Sequence, residues 1–276
     1  MSRYEFTVNL ESDSAHARVL RQVGTGRRVL ELGCASGYMS RVMTEQLGCT
    51  VVGIEIDVAE ARRAERFCER VIAGDCETLD YEALFEPRSF DVLLFADVLE
   101  HLKRPGELLR RVRFLLAPGG RLIVSVPNFA HASVLLHVLE GHLDYRTIGL
   151  LDETHLRFFT RESVVALLEE SGYAVDRLER QRLDPRRSEI PLPQAATSSS
   201  SATLVDHVLG LPESDVYQFI VTASPGPDQA AAETAVEPEL EDDLRRAGPP
   251  SKLRGTVLER LAAFESENAA LAEARE

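Results

Sequence analysis

A turn rich in small residues is the first place in this chain where chemistry can be read. Glu31-Leu32-Gly33-Cys34-Ala35-Ser36-Gly37 follows directly on an apolar run, and glycine at Gly33 and Gly37 lets the backbone turn tightly and approach a ligand without a Cβ in the way. Roughly 20 residues further on, Glu55 closes the apolar run of VVGIEID, where a carboxylate can take both hydroxyls of a ribose. That spacing suits either a nicotinamide or an adenosyl cofactor. Two features oppose the nicotinamide: the first two glycines of G-x-G-x-x-G are missing, and Glu31 before the turn would repel a pyrophosphate. A cofactor carrying an amine and a sulfonium suits that charge better. Walker A is absent, because no Gly-Lys-Ser/Thr occurs. Past another apolar run, Asp97-Val98-Leu99-Glu100-His101 sets acids beside an imidazole. Carboxylate with imidazole can hold Mg or Mn, and imidazole alone can act as a base. The structural alternative is an acid stabilising a first helical turn with a packed imidazole.

Positioning these residues falls to alternating apolar strands and helices. RRVLELGC reads as a strand, GYMSRVMTEQLG as a helix closed by Gly48, CTVVGIEID as a strand, VAEARRAERFCE as a helix and RVIAGD as a short strand. SFDVLLFADVLEHL runs from strand into turn and helix. PGELLRRVRFLLAPGG reads as a helix stopped by Pro118, Gly119 and Gly120, and RLIVSVPN as the fifth strand. Such spacing requires crossovers, hence an α/β, doubly wound, mostly parallel sheet covered on both faces. The segment 129–159 breaks the rhythm and carries four of the seven histidines, His131, His137, His142 and His155, so it is expected to be an acceptor-side insertion, a lid or a substrate wall. RESVVALLEESGY is a further helix. AVDRLERQRL and SDVYQFIVTAS are two late strands joined by a Pro/Ser-rich excursion, in which TSSSSAT reads as surface and SATLVDHVLG as a short helix.

Composition narrows the function classes. The chain has 276 residues, long enough for one large domain with an appendage, and 31 basic against 45 acidic residues leave a net charge of −14. That surface repels phosphate backbones, and lysine occurs only at Lys103 and Lys252, so no nucleic-acid partner is expected. Cys34, Cys49, Cys68 and Cys76 form no CxxC, which removes zinc-ribbon and dithiol readings and suits a reducing compartment. No apolar segment resembles a leader or a membrane span, so the protein is expected to be cytoplasmic. Residues 1–26 read as an N-terminal helical cap, 27–223 as the functional domain and 224–250 as an acidic Pro/Ala-rich linker. Over 251–276, Val257, Leu261, Phe264, Asn268 and Leu271 follow the spacing of a coiled-coil seam, with Leu261 and Asn268 at a. That seam would serve a homo-oligomer or another partner, and its abrupt end suits a piece of a longer chain.

Taken together these segments resemble class I S-adenosylmethionine-dependent methyltransferases, of the methyltransferase-11 or -23 type. VLELGCASG is similar to the family's first motif, VVGIEID to its second, AGDCE to its third, FDVLLFADVLEHL to its fourth and LLAPGGRLIVSVPN to its fifth. The resemblance implies a Rossmann-like seven-stranded sheet with a late antiparallel strand, and S-adenosylmethionine as cofactor. It implies that Gly33 and Gly37 shape the loop under the methionine portion and that Glu31 acts at its amino group, directly or through water. Glu55 would hold the ribose diol, Asp75 would accept from the adenine amine, Cys76 would offer its backbone N–H to the ring, and the backbone at Ala96 and Asp97 would line the donor cavity.

Methyl transfer from a sulfonium is an in-line displacement in which the protein aligns the nucleophile and excludes water, and a hydroxyl nucleophile must also lose its proton. Glu100 and His101 resemble the Glu-His pair of ubiquinone-type and small-RNA 2′-O-methyltransferases, some of which hold a divalent cation there with a further histidine, here His155. Glu100, His101 and His155 are therefore the candidate catalytic residues, with or without a divalent cation such as Mg. Gly149-Leu150-Leu151-Asp152-Glu153-Thr154-His155-Leu156-Arg157-Phe158-Phe159-Thr160 is similar to a pattern in bacterial methyltransferases often encoded with glycosyltransferases and polysaccharide pathways. The implied function is O-methylation of a hydroxylated small molecule such as a sugar or glycan terminus. N- or C-methylation, and a non-catalytic scaffold that uses the coiled coil, are the alternatives. Arg157 would pair with an acid on the acceptor or with Asp152.

Overall fold

The computed structural model describes residues 7–192 and 199–226. In chain order it contains α1 (Ala15–Val23), β1 (Arg28–Leu32), α2 (Tyr38–Glu45), β2 (Thr50–Glu55), α3 (Val58–Ala64), β3 (Arg70–Ala73), α4 (Tyr81–Leu84), β4 (Phe90–Ala96), α5 (Pro105–Val112), β5 (Leu116–Pro127), α6 (Ala132–Leu139), α7 (Arg161–Glu170), β6 (Tyr173–Arg182), α8 (Ser199–Leu209) and β7 (Val216–Pro225). The strands form one seven-stranded sheet in the order β3-β2-β1-β4-β5-β7-β6. β1 to β5 pair in parallel, and β7 runs antiparallel to both β5 and β6. The chain thus has the α/β Rossmann-like architecture, with the antiparallel strand inserted next to the fifth.

Side chains alternate across the pleat and build two cores. On one face Leu30, Leu32, Val52, Ile54, Leu93, Phe95, Leu122 and Val124 meet Leu108, Leu109 and Val112 of α5 and Val164 and Leu168 of α7. On the other, Val29, Val51, Val92, Leu94 and Ile123 meet Ala17, Leu20 and Val23 of α1 and Met39, Val42 and Met43 of α2. Burial on both faces is why the central strands read as unbroken apolar runs.

Several boundaries differ from the sequence reading. α5 ends at Val112, a 3-10 turn covers Arg113–Leu115, and Leu116 already pairs with Phe90. Pro118, Gly119 and Gly120 therefore lie within β5, at a register shift opposite Phe90 and Val92, instead of ending the helix. α8 starts at Ser199, so it takes in part of the serine run read as surface. β7 continues to Pro225, and Gly226 N–H bonds the Gly172 carbonyl at 2.9 Å, so the sheet absorbs the start of the segment read as linker. The rest of that linker and the coiled-coil seam over 251–276 lie outside the described residues.

The histidine-rich segment packs against the later excursion. Val134, Leu150 and Leu151 share a small core with Ile190, and Ala132 and Leu136 share another with Val208. The insertion and the Pro/Ser-rich excursion thus fold against each other as one cap beside β5 and β7. Phe159 is buried in the main core, whereas Phe158 is exposed and lies tilted against Phe129 with ring centroids 4.6 Å apart.

Candidate active site

Strand order reverses between β1 and β4, and open α/β sheets bind ligands outside the carboxyl ends at that crevice. A cavity of about 770 Å³ lies there, lined among others by Gly33, Glu55, Asp75, Cys76, Ala96, Asp97, Glu100, His101 and His155. Nine of the residues singled out in the sequence therefore face one space, of a size ordinary for a cofactor with a small acceptor.

The turn after β1 is held from β2. Gly33 N–H and Cys34 N–H both bond the Ile54 carbonyl, at 2.8 and 3.1 Å. Glu55 then spans the crevice: one oxygen accepts from Ala35 N–H at 2.8 Å and the other from Asp57 N–H at 2.8 Å. Each oxygen keeps a further lone pair with which to meet a diol. Gly33 has φ 72°, and a Cβ there would sit 2.7 Å from Val98 Cγ2. Asp75 accepts from Glu77 N–H at 2.9 Å, which fixes the turn while its carboxylate still lines the cavity. Burial, reinforced by Asp75 and Glu77, pushes the Cys76 thiol up to about 12.

Glu31 and Gly37 lie behind this surface and not on it. Glu31 is buried on β1, and its carboxylate accepts from Ser40 Oγ on α2. Burial, with the Cys68 thiol adding to it, pushes its carboxyl up to about 8, so a near-neutral acid stands beneath the loop. Gly37 begins α2 at φ 78°, and a Cβ there would approach Ala64 Cα to 2.8 Å. Its role is close packing of α2 on the end of α3. Gly37→Ala is expected to cost about 2 kcal/mol or more, a fall in Tm of roughly 4–8 °C in thermal unfolding.

At the other end of the cavity β4 delivers Asp97, at φ 57°, and a single 3-10 turn carries Glu100 and His101. Burial would raise Asp97, but His16, Ser125 and His101 together hold its carboxyl below the usual carboxylate range. Ser125 Oγ donates to it at 2.8 Å, Gln218 Nε2 also donates, and His16 Nε2 lies 3.6 Å away. The loop from the insertion docks onto the turn through backbone: Leu156 N–H and Arg157 N–H bond the Glu100 carbonyl at 2.8 and 2.9 Å. His155 thereby packs edge-on against His101, ring centroids 4.8 Å apart. One ligand atom from each of Glu100, His101 and His155 lies within 4.8 Å of the others. Burial and then Asp97 push the Glu100 carboxyl well above its ordinary value, while burial and then His101 hold the His155 imidazole below its own. Thr154 receives His101 Nδ1, with its carbonyl at 3.2 Å and its hydroxyl at 3.0 Å, and the hydroxyl itself donates to Asp152 at 2.6 Å.

Residues 9–178 match a family model described as a methyltransferase domain. The chain belongs to the class I S-adenosylmethionine-dependent methyltransferases. Ubiquinone biosynthesis O-methyltransferases are among the relatives of this methyltransferase. The protein from Aeromonas salmonicida is 26% identical over 155 residues, 54% of this chain and 64% of its own length. That from Xylella fastidiosa is 29% identical over 168 residues, 59% of this chain and 68% of its own. The match to the Aeromonas protein thus spans less than two thirds of that relative. The crystal structure of a SAM-dependent methyltransferase from Archaeoglobus fulgidus shares the fold, with TM-score 0.53 and 18% identity over 75% of this chain and 91% of that one.

Sequence reasoning missed His16, Tyr38, Ile148, Tyr217 and Gln218, which also line the methyltransferase cavity. His16 rides on α1 and bonds Tyr38 Oη at 3.2 Å, so the N-terminal cap contributes to the site. No spacing rule marks His16, Tyr217 or Gln218, because they reach the crevice from elements remote in sequence. The Arg157 guanidinium donates to the Lys103 carbonyl at 2.5 Å. Among the described residues no helix is long and apolar enough to cross a membrane.

Proposed function

We propose that this methyltransferase moves the methyl group of S-adenosylmethionine to a hydroxyl of a small acceptor, with a sugar or glycan terminus as the acceptor class suggested by residues 149–160. The observation that carries the reading is that Glu100, His101 and His155 border the same cavity as Gly33, Glu55 and Asp75. In this assignment Glu55 holds the ribose diol, Asp75 and the Cys76 backbone meet the adenine, and Ala96 and Asp97 flank the reacting end. The 129–159 insertion forms the acceptor wall. Thr154 takes the proton on His101 Nδ1, which leaves Nε2 free to accept the acceptor's hydroxyl proton as methyl transfer proceeds. The relatives act in ubiquinone biosynthesis as O-methyltransferases, which favours oxygen over nitrogen as the nucleophile.

As the alternative to His101 acting as base, a divalent cation fits the residues present. Glu100 Oε2 and His155 Nδ1 are buried without a hydrogen-bond partner, a cost that ligation would remove. Two imidazoles with one carboxylate favour Mn or Zn over Mg. When bound, the cation would supply Lewis-acid lowering of the hydroxyl's pKa. Burial favours the protonated form of Glu100 and the neutral form of His155, so raising the pH favours ligation through the Glu100 carboxylate. The half-saturating Mn concentration in a thermal-shift titration is therefore expected to fall as pH rises from about 6 to about 8, by up to roughly tenfold per pH unit. A pH-independent midpoint, or no shift with any divalent ion, removes the cation from this reading.

The acceptor class is tested by incubating the protein with S-adenosylmethionine and a panel of nucleotide sugars, glycans and phenols. Mass spectrometry should find a methylated hydroxyl product. Methylation confined to amines or carbon acids would replace O-methylation with the corresponding alternative.

A further inference from the structure

Cys34 and Cys68 are separated in sequence by a whole strand-helix unit, yet the fold sets both thiols over one glycine. A Cβ built on Gly53 of β2 would meet Cys34 Sγ at 2.7 Å and Cys68 Sγ at 3.4 Å, which places the two sulfurs within about 6 Å of each other. Cys34 is buried and Cys68 half-buried. Their mutual interaction holds the Cys68 thiol below its ordinary value, and the same interaction together with burial pushes Cys34 up. One member is thus the readier thiolate and the other a proton-bearing neighbour, the arrangement of an attacking and a resolving thiol.

Both cysteines are tied to the donor turn. Cys34 lies between Gly33 and Ala35, its N–H on the Ile54 carbonyl and the next N–H on the Glu55 carboxylate. Cys68 N–H bonds the carbonyl of Ala64, the residue against which Gly37 packs.

We propose that Cys34 and Cys68 form a peroxide-oxidisable dithiol whose closure to a disulfide weakens binding of the methyl donor. The effect on binding rests on the donor reading of the Gly33–Glu55 cradle. In the first step the Cys68 thiolate attacks one peroxide oxygen; an S–O bond forms, the O–O bond breaks, and hydroxide leaves to give the sulfenic acid. Cys34 sulfur then attacks that sulfur, the S–S bond forms, the S–O bond breaks, and the departing hydroxide takes the Cys34 proton as water. Overall two thiols and one hydrogen peroxide give one disulfide and two waters, with two electrons passing from sulfur to peroxide. Bonded sulfurs stand at about 2.05 Å, so closure draws Cys34 toward Cys68 and pulls the Ala35 N–H away from Glu55.

The test uses the full chain and S-adenosylhomocysteine in calorimetric titration, before and after stoichiometric hydrogen peroxide, with peptide mapping of the same samples. Reduced protein should bind. Oxidised protein should yield a Cys34–Cys68 linked peptide and bind about tenfold more weakly or worse, the scale of one lost charge-assisted hydrogen bond, with recovery on adding a dithiol reductant. Cys68→Ser should bind like the reduced parent and stay insensitive to peroxide. The proposal is overturned by absence of the linked peptide, by a linked peptide with unchanged affinity, or by equal peroxide sensitivity in Cys68→Ser, which would point to Cys76 in the cavity. Reduced protein that binds no S-adenosylhomocysteine would instead defeat the donor reading, and is separable because mapping still reports the linkage.

Discussion

Glu55→Ala should abolish measurable donor binding while leaving the protein folded. The carboxylate accepts from Ala35 N–H and Asp57 N–H at 2.8 Å each, so it both locks the turn under the donor and presents its remaining lone pairs to the cavity. Removing it deletes the acceptors for the proposed ribose hydroxyls and frees the turn that places Gly33. Two hydrogen bonds to a charged group are worth about 3–6 kcal/mol, or roughly a 10²–10⁴-fold rise in Kd. Calorimetry with S-adenosylhomocysteine measures it directly, and circular dichroism separates lost binding from lost fold. Glu55→Gln should fall between, since an amide can keep one acceptor but not both. An Ala variant that binds within about threefold of the parent, against that expectation, would remove Glu55 from the donor site.

His101→Ala and Glu100→Gln carry the second large effect, and it should fall on turnover, not on donor affinity. Loss of a positioned base costs about 10²–10⁴ in kcat, whereas Gly33, Glu55 and Asp75, assigned to the donor, stand at the carboxyl ends of β1, β2 and β3, away from both substitutions. Glu100→Gln is the cleaner of the pair. The insertion docks on the Glu100 carbonyl through Leu156 and Arg157, so changing the carboxyl leaves that docking in place. His155→Ala should lower turnover as well. Because burial holds the His155 imidazole low, any acid limb it contributes lies below the ordinary imidazole value: the ring is neutral through neutral pH and gains its proton only on further acidification. Single-turnover kinetics with donor in excess read the chemical step. Unchanged rates in all three variants would sink the catalytic assignment of this cluster.

Much of the donor half was legible before any fold was known. Gly33 and Glu55 could be placed because strand, tight turn, helix and strand are contiguous, and the distance from turn to acid is set by the length of one crossover. Glu31 was legible as an acid near the loop but not as a buried one: its environment is made by Ser40 and the Cys68 region, both from later elements. Pro118, Gly119 and Gly120 read as a stop because their types favour turns, and β4 overrode that preference by pairing with Leu116 ahead of them.

The acceptor side shows the same division more sharply. Glu100 and His101 stand on one short turn, so their partnership follows from adjacency, whereas the meeting with His155 needs the insertion to return to the Glu100 carbonyl. The cap that holds that loop draws Ile190 and Val208 from an excursion that sequence alone set apart from it. Likewise, the absence of CxxC argued against a dithiol, and the sheet nonetheless brought Cys34 and Cys68 over Gly53.

Local order along the chain determined the class of fold, the tight turn after β1 and the acid that closes β2, because those depend on periodicity and on spacing within one or two elements. Tertiary structure alone decided which side chains share the cavity with them, which acids burial pushes up and which thiols approach each other. Those properties arise from burial and from contacts between distant segments, and residue types read in order do not encode the dielectric or the neighbours that folding supplies.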